Sequence, residues 1–593
     1  MKTELIHDKF VLDVTDFELV WVEENTWFKD EFFLISSFPF EIDYDRVDYL
    51  SQFMHDNLTN TETVLNIKVW KDGKLEDGIM EIEEAGDKLR LTVRYGIEAL
   101  PNWTKKLSEL DLEVVLPEGG YMPAFAETII DKTWPDVNYN FPSIHTKYYE
   151  GQPMFDDFLG IINRRVDGHF TYNTIDGANT RNYNIVYPLP YHLYVLKSVV
   201  EDAGYTLHGD VLTDPDLIDA IIYSGKKIIE FEGIPKPFNW IVGQESRESV
   251  EVIGWTYIET WLNETELNYR GSFNLQGNIN DEVVFATIKL NGEIIFQYTS
   301  GQPLFFNFWF ETSDPTNELT FSAISVGNGI TGPFVIDATL TTLYLTDEYG
   351  EMLPFFANFS NVNLADKLPD MTVGDFFKFH KRLKNYDLDL RNGNEIWMNL
   401  VQNEVIDSET VDVTEFEPPV KTKKFEEKKS FLLRYEGDYD GYYFGQIYAD
   451  KDGFQIDDFA KSDNTQEVSI NGIPLPIETH DSIKTAVQVS DDASKLMLVK
   501  FSGVNGEGDN WTEPMSGLET LTLYINYWQR WMNFIIHAVK FRWTVKDHPN
   551  KLMAIQRKSK LFSFNNLLFV FTLNRRRKGE VEETEIEAYS TKV

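Results

Sequence analysis

Residues able to do chemistry are sparse and badly spaced in this chain. The ten histidines are scattered, and the closest two, His537 and His548, are eleven apart. No pair falls at i,i+2, i,i+3 or i,i+4, the spacings that put two imidazoles on one metal, and His-Glu-x-x-His is absent. Gly-x-Ser-x-Gly is absent as well, so no nucleophile elbow is expected. Ser224-Gly225-Lys226-Lys227 has Ala220 where a phosphate-binding loop needs its first glycine. Gly503-Val-Asn-Gly506-Glu-Gly508 orders its glycines wrongly for a dinucleotide loop and reads as a surface loop. The acid pairs Asp43/Asp45, Asp387/Asp389 and Asp438/Asp440 could serve as acid and base, or hold a hard cation. With 96 acidic residues, such pairs also arise by chance. Asp450-Lys-Asp-Gly453 lacks the ligand series of a calcium loop and reads as a turn. There is no cysteine, which excludes thiolate metal sites, disulfides and cysteine nucleophiles. The expectation is a protein that is not an enzyme and uses no cofactor or metal. One binding candidate remains: Trp309, Trp261 and Tyr257 could form a platform on which a sugar stacks, and the competing expectation is inter-sheet core.

Composition narrows the partners. Lys plus Arg is 54 against 96 Asp plus Glu, a formal charge of −42. Such a chain is not built for stable nucleic-acid binding or for an anionic membrane, both of which need a basic surface. Aromatics make up 14%, enough for a large core. No apolar run nears the roughly 20 residues of a membrane-crossing helix, so no transmembrane segment is expected. The N-terminus shows no apolar signal region, and folding in a cytoplasm follows. Charge is uneven: between Lys540 and Lys578 there are eleven Lys or Arg against Asp547 alone. That stretch reads either as the solvated face of a hairpin or as a surface that docks on an acidic neighbour.

The elements that must position these residues are mostly strands. Asp72-Gly73, Asn291-Gly292 and Asn471-Gly472, each between apolar alternating runs, read as hairpin turns. Residues 1–118 form a first β-rich unit. Residues 119–245 form a connector, and its stretch 121–187 is aromatic-rich irregular chain that packs its rings on a neighbour. A helix follows Pro188 and Pro190 and ends at Gly204, and a shorter one is expected over 214–222. Residues 246–346 read as an inserted β-sandwich, jelly-roll-like, with Leu319, Phe321 and Ala323 on one strand face. Residues 347–593 form a second β-rich unit. It opens with a helix over 372–385 capped by Thr372 and Asp375, with a further helix or long strand near 521–539. The fold class is therefore mainly β and multidomain.

Four segments in order carry a resemblance. They are Ile35-Ser-Ser-Phe38-Pro39-Phe40-Glu41 with the hairpin Val64 to Gly73 and the strands from Gly78 and Lys88; Pro188-Leu-Pro-Tyr191 leading to Gly204-Tyr205-Thr-Leu-His-Gly209; Leu368-Pro369-Asp370-Met-Thr372-Val373-Gly-Asp375-Phe376-Phe377; and the terminal strand pair 560–573 and 580–588. Together they resemble the tail-tip or baseplate hub proteins of tailed bacteriophages, in the form found in phages of Bacteroidota-type hosts. The resemblance covers about two-thirds of the chain and leaves the 246–346 sandwich outside. It implies two hub-type β-barrel modules and a homotrimer that closes a ring in the virion, assembled in the host cytoplasm. That structural ring would join the tail tube to the distal tip and let DNA pass at ejection. Its partners would be the distal tail or tube protein, the tape measure protein and tip or spike proteins. The alternative is a host-attachment protein that binds host polysaccharide, or a glycan-acting enzyme, with the sandwich as its accessory domain.

Overall fold

A computed structural model describes residues 2–590 apart from 33–35, 55–62, 72, 96–99, 150–154, 177–178, 230–234, 243–246, 268–270, 279–282, 301–304, 313–316, 328–333, 343–355, 392–393, 419–420, 426–428, 438, 440 and 505–509. The chain is mainly β and multidomain, with few helices. The opening sheet has six antiparallel strands in the order Phe10–Asp13, Glu4–His7, Val64–Lys71, Lys74–Ala85, Leu89–Tyr95, Ser36–Ile42. Val64–Lys71 alternates exposed and buried residues throughout, so one face packs and the other meets water. Leu65, Ile67, Val69, Met80, Leu91 and Phe38 build the packed side. Gly73, at φ 80, supplies the turn that Asp72-Gly73 signals.

The closing sheet runs Thr410–Asp412, Lys560–Ser563, Asn566–Lys578, Val581–Ser590, Val539–Asp547, Thr422–Lys424 over a core of Phe541, Trp543, Leu561, Leu573 and Ile586. Its seventh strand comes from the other end of the chain: Leu19–Glu24 pairs antiparallel with Asn566–Lys578. A separate, larger apolar core is drawn from Phe32 and from residues 100–229 and 357–535. The aromatics of the irregular stretch are part of it: Tyr139, Phe141, Tyr149, Phe155 and Phe170 are buried there.

Two helices cross this core, His192–Asp202 and Val373–Lys384. Thr372 caps the second, accepting from the Asp375 N–H at 3.1 Å and donating to its carboxylate at 2.8 Å. Left-handed Asn385 ends it. The first helix follows its two prolines and starts at His192. Leu189–Pro190 pairs as a strand with Tyr139–Asn140, because a residue before proline is held extended. The helix expected over 214–222 is a turn followed by the strand Ala220–Ser224, buried on both faces against Leu496–Val504. A short run buried all round has no period to tell helix from strand. Asn471-Gly472 is not a hairpin tip either. The chain there crosses from one parallel pairing, with Ser430–Tyr435, to another, with Leu496–Val504. Gly472 passes so close to Phe379 that a Cβ would lie 2.7 Å from its ring. Residues 520–537 are helical, with a π-turn over Tyr524–Trp528.

The sandwich sets four strands against five. The first sheet is ordered Pro235–Val242, Phe334–Thr342, Gly271–Asn278, Phe305–Thr312; the second is Arg247–Ile253, Thr256–Leu267, Asn317–Gly327, Val283–Leu290, Glu293–Thr299. Its first and last strands pair with each other, which puts entry and exit side by side, as an insertion requires. Leu319, Phe321 and Ala323 are all buried. Asn291 and Gly292, at φ 47 and 87, make the expected tight turn.

Candidate functional site

The strand Leu19–Glu24 buries Leu19 and Trp21 and exposes Val20 and Val22. Its register sets Trp21 opposite Arg575 and Leu19 opposite Arg577. Arg577 grips the buried carboxylate of Glu582 through Nε at 2.7 Å and a terminal nitrogen at 2.5 Å. Arg575 donates to the other oxygen at 2.5 Å, and the Thr584 hydroxyl donates to that same oxygen at 3.1 Å. Arg575 also lies 3.4 Å from Glu23, which accepts from the Trp21 indole at 2.8 Å. The chain of contacts then enters the opening sheet. Lys71 Nζ sits 3.6 Å from the Trp21 ring centroid, donates to the Tyr95 hydroxyl at 2.8 Å and lies 3.9 Å from Glu23. Burial pushes the Glu23 carboxyl up, but Arg575 and Lys71 outweigh burial and hold it below the usual carboxylate range. The N-terminal strand Leu19–Glu24 is thus part of the closing sheet, and desolvated side chains link it to Lys71 and Tyr95 of the opening sheet.

A second junction ties the same N-terminal segment to the middle core. Asp387, fully buried, accepts from Thr26 Oγ1 at 2.7 Å and pairs with Lys558 at 2.8 Å and Lys381 at 3.4 Å. Burial raises its pKa, and the two lysines more than reverse that, so it stays ionised. Lys381 also donates to the carbonyls of Thr26 and Glu31, and the Trp27 indole donates to Glu404 at 2.9 Å. The basic stretch of the sequence is therefore split. Arg575, Arg577 and Lys558 bind acidic groups inside the chain. Lys540 and Arg542 pair across an outer strand face with Glu587 and Glu585, at 2.5 and 2.6 Å, and Arg576 pairs with Glu18 at 2.5 Å. The acidic neighbour is the chain's own.

The other sequence candidates fall as follows. Asp387 is the buried anchor just described, and Asp389 pairs with Arg391 at 3.0 Å. Asp43 is exposed, 3.9 Å from Lys88, and Asp438 and Asp440 lie outside the described residues. Asp450 accepts from the Asp452 N–H at 2.8 Å inside a hairpin turn, and Ser224 ends a buried strand with its hydroxyl on the Lys367 carbonyl. Among the described residues no group of three or more His, Asp or Glu is arranged to hold a metal. In the middle core His192 and His380 face each other, Nε2 to Nε2 at 3.0 Å, with His380 Nδ1 2.7 Å from the Phe376 carbonyl. Burial pushes His380 down to about 4 and His192 well below its ordinary value, so both are neutral.

The sandwich separates the three aromatic candidates. Trp261 is wholly buried, its indole donating to Ser325 Oγ at 3.0 Å with Arg247 5.6 Å from its ring, and a covered ring offers no face to a ligand. Tyr257 is half-buried on the same strand. Trp309 belongs to the opposite sheet, across from Asn274, and its side chain lies outside the described residues. Among the described residues another aromatic is far more open to solvent than these. Trp255 stands at the tip of the Gly254-Trp255 hairpin, 92% exposed. The available signal was a glycine leading a two-residue gap between β-branched runs. A second exposed apolar group, Val64, Trp70, Leu75 and Ile79, occurs on the opening sheet, where Trp70 stands directly across from Leu75.

No protein-family model matches this sequence, and no curated protein matches it. Solved structures similar to part of it include a family 35 carbohydrate binding module from Clostridium thermocellum, at 15% identity over 21% of this chain and 96% of that one, TM-score 0.11. A family 35 module from an environmental isolate matches at 10% identity over 20% of this chain and 91% of that one, TM-score 0.11. The CBM36-1 domain of a xylanase from the hindgut metagenome of Trinervitermes trinervoides matches at 15% identity over 18% of this chain and 96% of that one, TM-score 0.11. Likeness of this size does not bear on what the chain does. No helix among the described residues is long and apolar enough to cross a membrane.

Proposed function

We propose that this protein is a structural subunit of a bacteriophage tail tip, a hub whose copies close a ring, without turnover, at the distal end of the tail tube. One observation carries the reading: Leu19–Glu24 is the seventh strand of the closing sheet, so the first and last β-modules stand side by side. A subunit that contributes two modules to one ring needs them adjacent and rigidly joined, and the Glu23–Arg575–Glu582 and Asp387–Lys558 clusters supply desolvated, orientation-specific contacts there. The exposed Val64, Trp70, Leu75 and Ile79 give the opening module an apolar outer face of the kind that interfaces cover. Sedimentation equilibrium with negative-stain imaging tests this. The expected species is a closed ring of three chains of 68.9 kDa, which Trp70→Glu returns to monomer. A wild-type chain that stays monomeric at every concentration and forms no ring with tail-tube protein would end the proposal.

The second reading, a sandwich that binds host polysaccharide, is favoured by Trp255 alone. Affinity electrophoresis in gels containing host capsular polysaccharide decides it: retardation lost in Trp255→Ala supports it, and equal mobility with and without polysaccharide removes it.

A further inference from the structure

Lysine is rarely stripped of water, yet the helix Val373–Lys384 ends on one that is: Lys384 is 0% exposed. Asp214, in the turn before the strand Ala220–Ser224, meets it from 170 residues away in sequence and is buried too. Lys384 Nζ lies 2.7 Å from one oxygen of the Asp214 carboxyl and 2.9 Å from the other, so it faces the whole carboxyl group. Asp216 brings a second carboxylate to 2.5 Å from the same Nζ. Lys381 and Lys558 are placed differently: they share one carboxylate, Asp387, and each reaches a single oxygen of it.

Two further donors polarise the Asp214 carboxyl. The Asp216 N–H donates to Oδ1 at 2.9 Å, and the Tyr386 hydroxyl donates to Oδ2 at 2.6 Å. Tyr386 is buried, and the Tyr527 ring centroid lies 4.7 Å from Lys384 Nζ. Gly517 passes over Asp216 so closely that a Cβ there would lie 2.1 Å from its carboxylate. An amine, a carboxyl, a base and two donors on the carboxyl oxygens are thus held together where little water enters.

We propose that Lys384 and Asp214 join in an intramolecular amide, a cross-link between the connector and the second half of the chain. The step balances with no other reactant. The Lys384 ammonium gives one proton to Asp216. The freed amine attacks Asp214 Cγ, and the Nζ–Cγ bond forms. The Cγ–Oδ2 bond breaks, and Oδ2 takes a second proton from Nζ and the proton held on Asp216, leaving as water. Nζ keeps one hydrogen, Asp216 is a carboxylate again, and Oδ1 becomes the amide oxygen, still facing the Asp216 N–H. Nothing is oxidised or reduced. Burial pushes the Lys384 amine down, and Asp214 and Asp216 outweigh burial and hold it above its ordinary pKa. The charged pair is therefore the resting state, and the amide forms slowly, once per chain. In a chain without cysteine this bond takes the place of a disulfide, joining segments 170 residues apart. It needs a single chain and does not rest on the ring reading.

Denaturing mass spectrometry of the full-length protein tests it. The expected mass is that of the sequence less one water. A tryptic digest should hold a branched peptide that joins the segments around Asp214 and Lys384 and is uncut after Lys384. The branch is the deciding feature, because ring closure at an Asp-Gly pair such as Asp452-Gly453 also loses water but joins no peptides. Asp216→Asn keeps the side chain's shape and removes the base. With unchanged circular dichroism it should lower the cross-linked fraction of freshly made protein at least about tenfold. Folded wild-type protein at the full sequence mass, or a lost water that maps elsewhere, would overturn the proposal. So would Asp216→Asn protein cross-linked as fast as the wild type.

Discussion

The last hairpin of the chain carries arginine and glutamate on both of its faces. On the inner face Arg575, Arg577 and Glu582 are almost wholly removed from water. On the outer face Arg542 pairs with Glu585 and Lys540 with Glu587, with Arg542 more than half exposed. On both faces a glutamate meets a cation at 2.5–2.6 Å, so what differs is solvent. Inside, each charge has given up hydration and depends on its partner; outside, water replaces a lost partner at little cost. The inner face therefore specifies which surfaces meet, and the outer face keeps an open sheet soluble.

The largest expected effect breaks the inner face. Glu582→Ala leaves two arginines buried against Glu23 and Trp21 without their main acceptor, and should destabilise the fold by about 3–5 kcal/mol. Urea titration with tryptophan fluorescence reads it. A shift below about 1 kcal/mol would mean that water reaches the cluster. Replacing Arg575, Arg577 and Glu582 together by apolar residues of similar volume should recover most of the loss, because the charges then no longer need one another.

A second effect separates this junction from the middle core by pH. His192 and His380 are held neutral by burial, with His380 at about 4. Unfolded, both take up a proton near pH 6.5. Below that value the unfolded chain binds more protons, so stability falls as pH drops, by about 1.4 kcal/mol per unit for each histidine. At pH 5.5 the pair should cost about 3 kcal/mol relative to pH 7.5. The junction carboxylates Glu23 and Asp387 have folded pKa values below their ordinary ones, and their contribution is lost only in more acid solution. A loss between pH 7 and 5.5 that vanishes in His192→Leu/His380→Phe assigns it to the core. A loss that persists in the double variant assigns it elsewhere.

What was legible in the sequence was local chemistry. Gly73 and Asn291-Gly292 turn because few other residues adopt positive φ cheaply, and Thr372 caps because its hydroxyl reaches an N–H three residues on. Leu319, Phe321 and Ala323 alternate because one sheet face is buried. Failures came where distant segments decide. Nothing near Leu19–Glu24 says that its partner is Asn566–Lys578, more than five hundred residues away. Asn471-Gly472 has turn chemistry, yet the packing of Phe379 uses that glycine for close approach. Trp261 has the chemistry of a sugar platform, and the inter-sheet core with Ser325 claims it. Trp255, at a tip where no core competes, was the residue to weigh.

The smallest expected effect tests the outer face, where the strand Val539–Asp547 pairs with the same hairpin. Arg542 reaches Glu585 at 2.6 Å and Glu587 at 3.7 Å, and Glu585 also accepts from Asn574 at 3.0 Å. Arg542→Ala therefore leaves Glu585 with another donor and with water. The expected loss is small at low salt and shrinks further as ionic strength rises and screens the pair. Denaturation midpoints at 20 and 500 mM sodium chloride, compared with Glu582→Ala under both conditions, make the contrast quantitative. The inner loss should be nearly independent of salt, because buried charges are screened far less than exposed ones. An Arg542→Ala loss as large as that of Glu582→Ala, and equally indifferent to salt, would mean that the outer face is also desolvated in solution, as it would be if a neighbouring subunit covered it.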